Sequence, residues 1–334
     1  MNASPKPQQD SGNESRTPRV LPFSPHFILP ATRSDFTVLL KQDGRLVLYA
    51  KGGDVFTETH RNRLLEMGVE RVYVRAEEKG FYEEYMRAHL GTLLDDDSIP
   101  AVERAGAWYQ TSIALTREVF ENRLSTSASG KRFSQIENLV KATAEFLTDP
   151  LALKKVAALI NKGFRLYDHA LGVMVLTISI LRTFPGVDEQ LLTRVGMGAI
   201  LHDIGKTSLP GHLLEKRSDL MTPDERRQYR AHPATGIALL AGLPLESETI
   251  HCILFHHEQA DGGGYPSGIQ GNDIPLHARV LILCNAYDNL IRATADGPAR
   301  KPFEALTQIK ADKDYYDIEC IKRLIMVLSN AEIT

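Results

Sequence analysis

Histidine beside aspartate is the combination in this sequence that is best suited to chemistry. An apolar stretch ends in the pair His202-Asp203, and Lys206 follows three residues later. Side chains of neighbouring helical residues point about a hundred degrees apart, so the pair can converge only where the helix ends, and Gly205 predicts such an end. Imidazole and carboxylate directed at one point are typical ligands of a divalent metal, and Lys206 would hold an anion nearby. Taken alone, the pair also fits a buried structural hydrogen bond.

The clustering of histidines favours the metal site. Eight of the eleven histidines lie between residues 169 and 277. His169 lies in a predicted helix, His232 opens another, and the doublet His256-His257 ends a third. Without a cation, so many buried imidazoles would be unsatisfied or would repel one another. Five imidazoles and one carboxylate exceed the ligands of a single structural zinc site, so the sequence predicts two metals bridged by Asp203, an arrangement suited to displacement at phosphorus.

A glycine-rich loop follows the histidine doublet directly. Residues 261–266 read Asp-Gly-Gly-Gly-Tyr-Pro. Glycines permit a close approach of the backbone to a ligand, and Pro266 fixes the exit of the loop. Tyr265 would hydrogen-bond to a base or stack on it. An ordinary glycine-rich turn is the alternative, but the position of the loop favours contact with a substrate.

Helices must position these residues, because helical periodicity dominates the chain after residue 150. No strand pattern interrupts it, so residues 151–334 are predicted to form an all-α domain. The predicted helices cover about residues 151–162, 166–183, 188–202, 223–242, 245–257, 274–293, 302–309 and 317–330.

The chain before this domain divides into three predicted parts. Residues 1–20 are polar and read as a disordered tail. Residues 21–94 form a small α/β module, with strands at 36–40, 45–49 and 69–74 and helices at 57–67 and 80–93. The module is either a sensory or partner-docking unit, which its position favours, or a structural cap.

Residues 95–150 are predicted to connect the module to the helical domain. An acidic break that ends in Pro100 precedes two long helices, at residues 102–124 and from the Ser/Gly-rich turn 125–130 to Leu147. These helices would carry a signal or form a homodimer contact, or they would only pack on the following domain. The predicted fold class is therefore mainly α, with a small α/β module and a helical linker.

Composition limits the classes of partner. The sequence has 334 residues and a formal net charge of −3, which argues against a broad basic surface for a nucleic-acid polymer but permits a local anion site. The three cysteines have no CxxC spacing, which fits a reducing compartment. No stretch is apolar enough for a membrane span or a signal peptide, so the predicted location is the cytoplasm.

The combined motifs resemble the HD-GYP family, a branch of the HD superfamily of metal-dependent phosphohydrolases. The resemblance covers about residues 150–330 and rests on His202-Asp203 with Gly205-Lys206, on His232-Pro233, and on His256-His257-Glu258 with Asp261-Gly262 and Gly264-Tyr265-Pro266. It implies an all-helical fold and hydrolysis of cyclic di-GMP to the linear dinucleotide pGpG or to GMP. Some members of the family prefer the mixed cyclic GMP-AMP.

The resemblance also implies roles for individual residues. Two divalent metals, iron or manganese in preference to zinc or nickel, would be held by His169, His202, Asp203, His232, His256 and His257. Asp203 would hold the attacking water, and Lys206 would hold a phosphate oxygen. The loop Gly264-Tyr265-Pro266 would contact the substrate or a signalling partner. Glu258 and Asp261 would orient the histidines or relay protons.

The sequence departs from the family pattern at three places. Asn285 stands where the family has an aspartate ligand, and its uncharged amide oxygen should bind one metal more weakly. Arg165 stands where trinuclear members carry a glutamate, so we expect two metals at most. The family's Arg-Pro-Tyr-Arg segment, which helps to hold the substrate phosphates, reads Thr-Ala-Asp-Gly at residues 294–297. Arg292, Arg300 or Lys301 would have to replace it.

Two functional hypotheses follow. The first is a cyclic-dinucleotide phosphodiesterase, favoured by the retained ligands, Lys206 and the Gly-Tyr-Pro loop. The second is a degenerate domain that binds metal or nucleotide and acts through protein partners, favoured by Asn285 and the altered segment at 294–297. A phosphohydrolase of nucleoside phosphates is a third alternative, which the Gly-Tyr-Pro loop disfavours.

Overall fold

The structure, a computed structural model, describes residues 19–121, 129–160 and 166–333. It divides into two compact units, one extending to Tyr85 and the other beginning at Met86. The predicted tail lies almost wholly outside the described residues. Most of the predicted turn at 125–130 and the whole of Arg165 lie outside them as well.

The first unit contains a four-stranded antiparallel sheet in the order β1-β4-β2-β3. The strands are β1 (Val20–Phe23), β2 (Val38–Gln42), β3 (Arg45–Ala50) and β4 (Val72–Arg75). Asp43 and Gly44 both have positive φ, as the tight turn between β2 and β3 requires. The sequence did not indicate β1, because its four residues directly follow the polar tail. Helix α1 (Glu58–Glu66) begins at a Thr57 capping box.

Four helices follow the sheet in the chain. They are α2 (Lys79–Asp95), within which the division between the units falls, α3 (Ala101–Glu121), α4 (Ser129–Phe146) and α5 (Pro150–Ile160). Trp108 on α3 is fully buried, and its indole N–H donates to Thr143 on α4 at 2.8 Å. This bond satisfies the polar atom of a large core side chain.

Helix α6 (Leu166–Leu181) is the centre of the second unit, because every residue from Asp168 to Leu181 is buried. The helices after it complete the all-helical fold: α7 (Glu189–Leu201), α8 (Gly211–Leu214), α9 (Pro223–Arg230), α10 (His232–Leu239), α11 (Ser247–Phe255), α12 (Leu276–Ile291), α13 (Pro302–Ala311) and α14 (Ile318–Asn330). The mainly α fold class is thus confirmed. None of the described helices has both the length and the apolar character needed to cross a bilayer.

The prediction that His232 opens a helix is confirmed, and the single helix predicted over residues 223–242 is wrong, because the chain breaks at Ala231 into α9 and α10. Pro233 has no backbone N–H to donate to the carbonyl of Tyr229, four residues earlier. That carbonyl accepts a hydrogen bond from His232 Nδ1 instead, at 2.7 Å. The break therefore directs His232 inward, where it is fully buried.

Candidate metal centre

His202 and Asp203 lie where α7 ends, as is required if both side chains are to converge on one point. A 3₁₀ helix, Ile204–Ser208, follows at once. Gly205 lies in this segment without a left-handed conformation, so its expected role as a helix terminator is wrong. A Cβ atom at Gly205 would lie 1.9 Å from the carbonyl oxygen of His232 and 2.7 Å from the backbone nitrogen of Gly236. The glycine therefore permits the close packing that brings α10 to the site.

The two carboxylate oxygens of Asp203 face two different groups of imidazoles. Oδ2 lies 3.4 Å from His202 Nε2 and 3.7 Å from His169 Nε2. Oδ1 lies 3.3 Å from His232 Nε2 and 3.4 Å from His256 Nε2. His257 completes the second group. One carboxylate thus joins two clusters of potential metal ligands.

Three of these imidazoles are oriented by carbonyl oxygens close by in the sequence. The Nδ1 atoms of His202, His232 and His256 lie 2.7–2.8 Å from the carbonyl oxygens of Ala199, Tyr229 and Ile253, each three residues earlier. A carbonyl oxygen only accepts, so each Nδ1 carries a proton, and Nε2 is the nitrogen that can act as a metal ligand. The C-terminal ends of α7, α9 and α11, which are negative ends of helix dipoles, lie beside these residues.

The Nε2 atoms of the cluster face one another at short range. His232 and His256 approach to 3.0 Å, and His169 and His202 approach to 3.3 Å. Burial lowers the pKa of His256 to about 3 and also lowers the pKa of His169, so each contact contains an imidazole whose protonation is disfavoured. Asp203 Oδ1 and His257 Nε2 are buried without a hydrogen-bond partner. Converging lone pairs of this kind fit divalent cations, so the residues present suit a metal centre.

Lys206 reaches the same carboxylate. Its Nζ donates to Asp203 Oδ2 at 2.7 Å and lies 5.6 Å from the centre of the Tyr229 ring. Burial acts to raise the pKa of Asp203, but Lys206 and His202 outweigh it and hold that pKa well below the usual value. Burial acts to lower the pKa of Lys206, and Asp203 outweighs it and raises that pKa. The site therefore contains an ionised carboxylate and an ammonium side by side.

Asp288 supports the cluster, a role that the sequence analysis missed. Its Oδ2 accepts from His169 Nδ1 at 2.7 Å and also from Arg292 Nε. Arg292 donates further to the carbonyl oxygens of Ile160 and Asp168. All these side chains are buried. A carboxylate within a largely apolar predicted helix was the signal in the sequence. Because Arg292 is committed to these partners, it is not offered to a substrate phosphate.

The predicted ligand Asn285 is buried on α12 beside the second group of imidazoles. Its amide nitrogen donates to the carbonyl oxygen of His256 at 3.4 Å, and its Oδ1 accepts from Asn289 at 3.0 Å. The amide therefore already has partners in this structure. Its predicted role as a ligand requires Oδ1 to turn from Asn289 to a metal.

Glu258 and Asp261 form hydrogen bonds with the glycine-rich loop. Glu258 is fully buried, and its Oε1 accepts from the backbone N–H of Ser267 at 2.7 Å. Asp261 is exposed and accepts from the backbone N–H of Gly263 at 2.9 Å. Among the described contacts, neither carboxylate bonds to a histidine, so their expected effect on the imidazoles would pass through the loop.

The loop packs directly against the ligand His257. The Tyr265 ring stacks on the His257 ring at 4.6 Å with 16° between the planes, and the Tyr265 N–H donates to the His257 carbonyl oxygen at 3.1 Å. A Cβ atom at Gly264 would lie 2.4 Å from the Glu258 Cα atom, so only glycine fits there. Pro266 follows through a cis peptide bond. The guanidinium carbon of Arg230 also lies over the Tyr265 ring, 4.9 Å from its centre, so a base that stacked on this ring would compete with Arg230 and His257.

The remaining predicted substrate contacts lie at the start of α13. Arg300 is exposed and donates to Gln308 at 2.8 Å. Lys301 is exposed, and its backbone N–H donates to Glu304 Oε2 at 3.1 Å. Among the described contacts, neither side chain bonds to the histidine cluster. Asp296, in the altered segment, accepts from the backbone N–H of Ser218 at 2.7 Å.

Residues 177–320 match the family model described as HD domain, so this part of the chain is similar to the HD domain. The sequences and the structure that it resembles confirm the likeness to the HD-GYP branch. The chain is 32% identical over 169 residues to the cyclic di-GMP phosphodiesterase PA4108 of Pseudomonas aeruginosa, across 50% of this chain and 40% of that protein. It is 34% identical over 143 residues to the cyclic di-GMP phosphodiesterase response regulator RpfG of Xanthomonas campestris, across 42% of this chain and 38% of that protein.

Two further comparisons extend the likeness. A 3'3'-cGAMP-specific phosphodiesterase 3 of Vibrio cholerae is 27% identical over 214 residues, across 62% of this chain and 45% of that protein. The chain therefore spans less than half the length of these curated relatives. Bd1817, a HDG"Y"P protein from Bdellovibrio bacteriovorus, has a similar fold, with a TM-score of 0.65 and 22% identity across 93% of this chain and 100% of that one.

Proposed function

We propose that this protein is a metal-dependent phosphodiesterase that hydrolyses a cyclic dinucleotide, cyclic di-GMP to pGpG or GMP, or cyclic GMP-AMP. The single observation that carries the proposal is the division of the Asp203 carboxylate, with one oxygen toward each group of imidazoles. The named activities of PA4108, RpfG and the Vibrio cholerae relative support the choice of substrate.

His169, His202 and Asp203 would hold one divalent metal, and His232, His256, His257 and Asp203 would hold the other, with Asn285 beside the second. We favour iron or manganese over zinc or nickel. When bound, such cations lower the pKa of water and neutralise charge that develops on phosphorus oxygens.

The chain's own residues bind and orient the substrate. Lys206 keeps its charge beside Asp203, so its remaining protons are available to a phosphate oxygen. Asp203 accepts hydrogen bonds and would orient the attacking water. The loop with Gly264, Tyr265 and Pro266 holds His257 in place through the stacked ring, and Glu258 anchors that loop. Arg300 and Lys301 remain predicted contacts to the substrate.

A second candidate is a domain that binds a cyclic dinucleotide or metal without turnover. Asn285 favours it, because the amide carries no charge and already has hydrogen-bond partners. So does Asp296, because a carboxylate stands in the segment at which the family holds phosphate.

The deciding experiment measures turnover directly. Purified protein is loaded anaerobically with manganese or iron and incubated with cyclic di-GMP or cyclic GMP-AMP, and the products are separated by chromatography. We expect linear product from the parent protein and none from Asp203→Asn, whereas Asp219→Asn, an exposed control, should match the parent. Tight dinucleotide binding without product would select the second candidate.

We also propose a protein partner and a homodimer. We infer that residues 21–94 or the Gly-Tyr-Pro loop bind a signalling protein, and that α3 and α4 contribute to a homodimer. Light scattering on the full chain tests the dimer, and a monomer at all concentrations would contradict it.

A further inference from the structure

Arg230 lies one stacked ring away from a predicted metal ligand. It is the last residue of α9, it is exposed, and its guanidinium carbon lies 4.9 Å from the centre of the Tyr265 ring. The same ring stacks on His257 at 4.6 Å. Tyr265 therefore contacts both a predicted metal ligand and an exposed cation.

The charge of Arg230 has no acidic partner among the residues that the structure describes. Its neighbour Arg227 pairs with Asp224, Arg217 pairs with Asp219, and the buried Arg292 pairs with Asp288. A cation–π contact fixes the plane of a guanidinium but leaves its N–H donors unused. The Arg230 guanidinium is therefore held in place with N–H donors available. A guanidinium binds phosphate through two parallel hydrogen bonds.

We propose that Arg230 binds the phosphate of the cyclic dinucleotide that is not being cleaved, an inference that rests on the proposed function. Lys206 already bonds to Asp203 inside the cluster, so it serves the phosphate that reacts. Arg230 is exposed and contacts the Tyr265 ring, whereas most of the histidine cluster is buried. The two phosphates of a cyclic dinucleotide lie on opposite sides of one macrocycle, so an exposed cation next to the cluster suits the second phosphate.

Arg230 also supplies a positive charge that the altered segment at residues 294–297 lacks. Residues 294–297 contain no arginine, and Asp296 adds a negative charge there. The Arg300 side chain bonds to Gln308, and Lys301 lies at the start of α13 with no described side-chain contact to the cluster. Arg230 is therefore better placed than either to bind a phosphate beside the histidine cluster.

The test compares Arg230→Ala and Arg230→Lys with the control Arg227→Ala, which removes the same charge from the same helix. Each metal-loaded full-length variant is assayed with cyclic di-GMP and with bis(p-nitrophenyl) phosphate, a diester that has only one phosphate. We expect Arg230→Ala to raise KM for cyclic di-GMP about tenfold, as loss of a charged hydrogen bond does, with a smaller change in kcat. Arg230→Lys should recover part of the loss, and Arg227→Ala should match the parent.

The ratio of kcat/KM between the two substrates separates a phosphate contact from a general defect. It should fall about tenfold in Arg230→Ala, because only cyclic di-GMP has a second phosphate. Equal losses on both substrates, or equal KM values in Arg230→Ala and Arg227→Ala, would overturn the assignment while leaving the proposed function intact. A parent protein that neither binds cyclic di-GMP in calorimetry nor hydrolyses it would overturn both.

Discussion

His169 donates a hydrogen bond from Nδ1 to Asp288 Oδ2 at 2.7 Å, although the two residues are 119 positions apart in sequence. This bond fixes the ring so that Nε2 faces Asp203. Arg292 holds Asp288 from the other side and also bonds to the backbone beside His169. One buried ion pair therefore determines the orientation of a predicted metal ligand on another helix.

Replacing Asp288 by Leu should separate stability from metal binding. The single variant leaves the Arg292 guanidinium buried without its carboxylate, which should cost about 3–5 kcal/mol of unfolding free energy. The double variant with Arg292→Met removes both charges and should recover most of that loss. His169 stays without its partner, so metal affinity should remain roughly 10–100-fold weaker in both variants. Urea unfolding and competition with a chelator measure the two effects, and parental affinity in the double variant would refute this account.

Asn285→Asp should lower the stability of the metal-free protein and raise the stability of the metal-bound protein. In the metal-free protein a carboxylate oxygen would replace the amide that donates to the His256 carbonyl, and the resulting unpaired contact should cost about 1–3 kcal/mol. With metal bound, the added charge should strengthen coordination and raise the thermal midpoint above that of the loaded parent. The measurement is thermal unfolding with and without manganese, together with metal analysis. Unchanged metal content and an unchanged rate would show that residue 285 does not act on the metal.

Gly205→Ala should destabilise the protein strongly. The new methyl group would meet backbone atoms of His232 and Gly236, which cannot move as a side chain can. We expect a loss of about 3 kcal/mol or more and weaker metal binding, because His232 must shift. Gly211→Ala is the matched control, since nothing lies within 4 Å of its added Cβ atom, and it should stay within about 0.5 kcal/mol of the parent. Chemical denaturation compares them, and equal stabilities would contradict the packing described here.

His277 should contribute to acid sensitivity in the metal-free protein. Its ring stacks on His251 at 5.5 Å, and burial, followed by the neighbouring His251, lowers its pKa from 6.5 to about 4. The unfolded chain therefore binds this proton first, so the stabilising effect is complete above pH 6.5 and is lost as the pH falls toward 4. His277→Gln should flatten the stability curve in this window by up to about 1.4 kcal/mol per pH unit.

Urea unfolding in the presence of a chelator, at a series of pH values, tests this slope. His212→Gln, which alters an exposed histidine, should keep the parental slope. An unaltered slope in His277→Gln would show that His277 does not contribute to the acid sensitivity.

Local sequence patterns were sufficient for most of the helices and for grouping the histidines. Apolar periodicity placed α6, α7, α11 and α12, and the chemistry of imidazole and carboxylate indicated a shared site. These local patterns were insufficient at positions where contacts between distant residues decide the structure. The break at Ala231 is a local exception, because Pro233 and the bond from His232 to the Tyr229 carbonyl are close in sequence but do not alter the apolar periodicity. The roles of Asp288 and Arg230 depend on which helices lie side by side, and no spacing in one chain encodes that.

The hydrogen bonds from His202, His232 and His256 to carbonyls three residues earlier have a consequence for assembly. Each of these rings acquires its tautomer from its own segment, before any distant part of the chain arrives. His169 differs, because the partner of its Nδ1 is Asp288, 119 residues away on α12. Its orientation therefore depends on the docking of α6 against α12, and a bound metal would add to the stability of that contact.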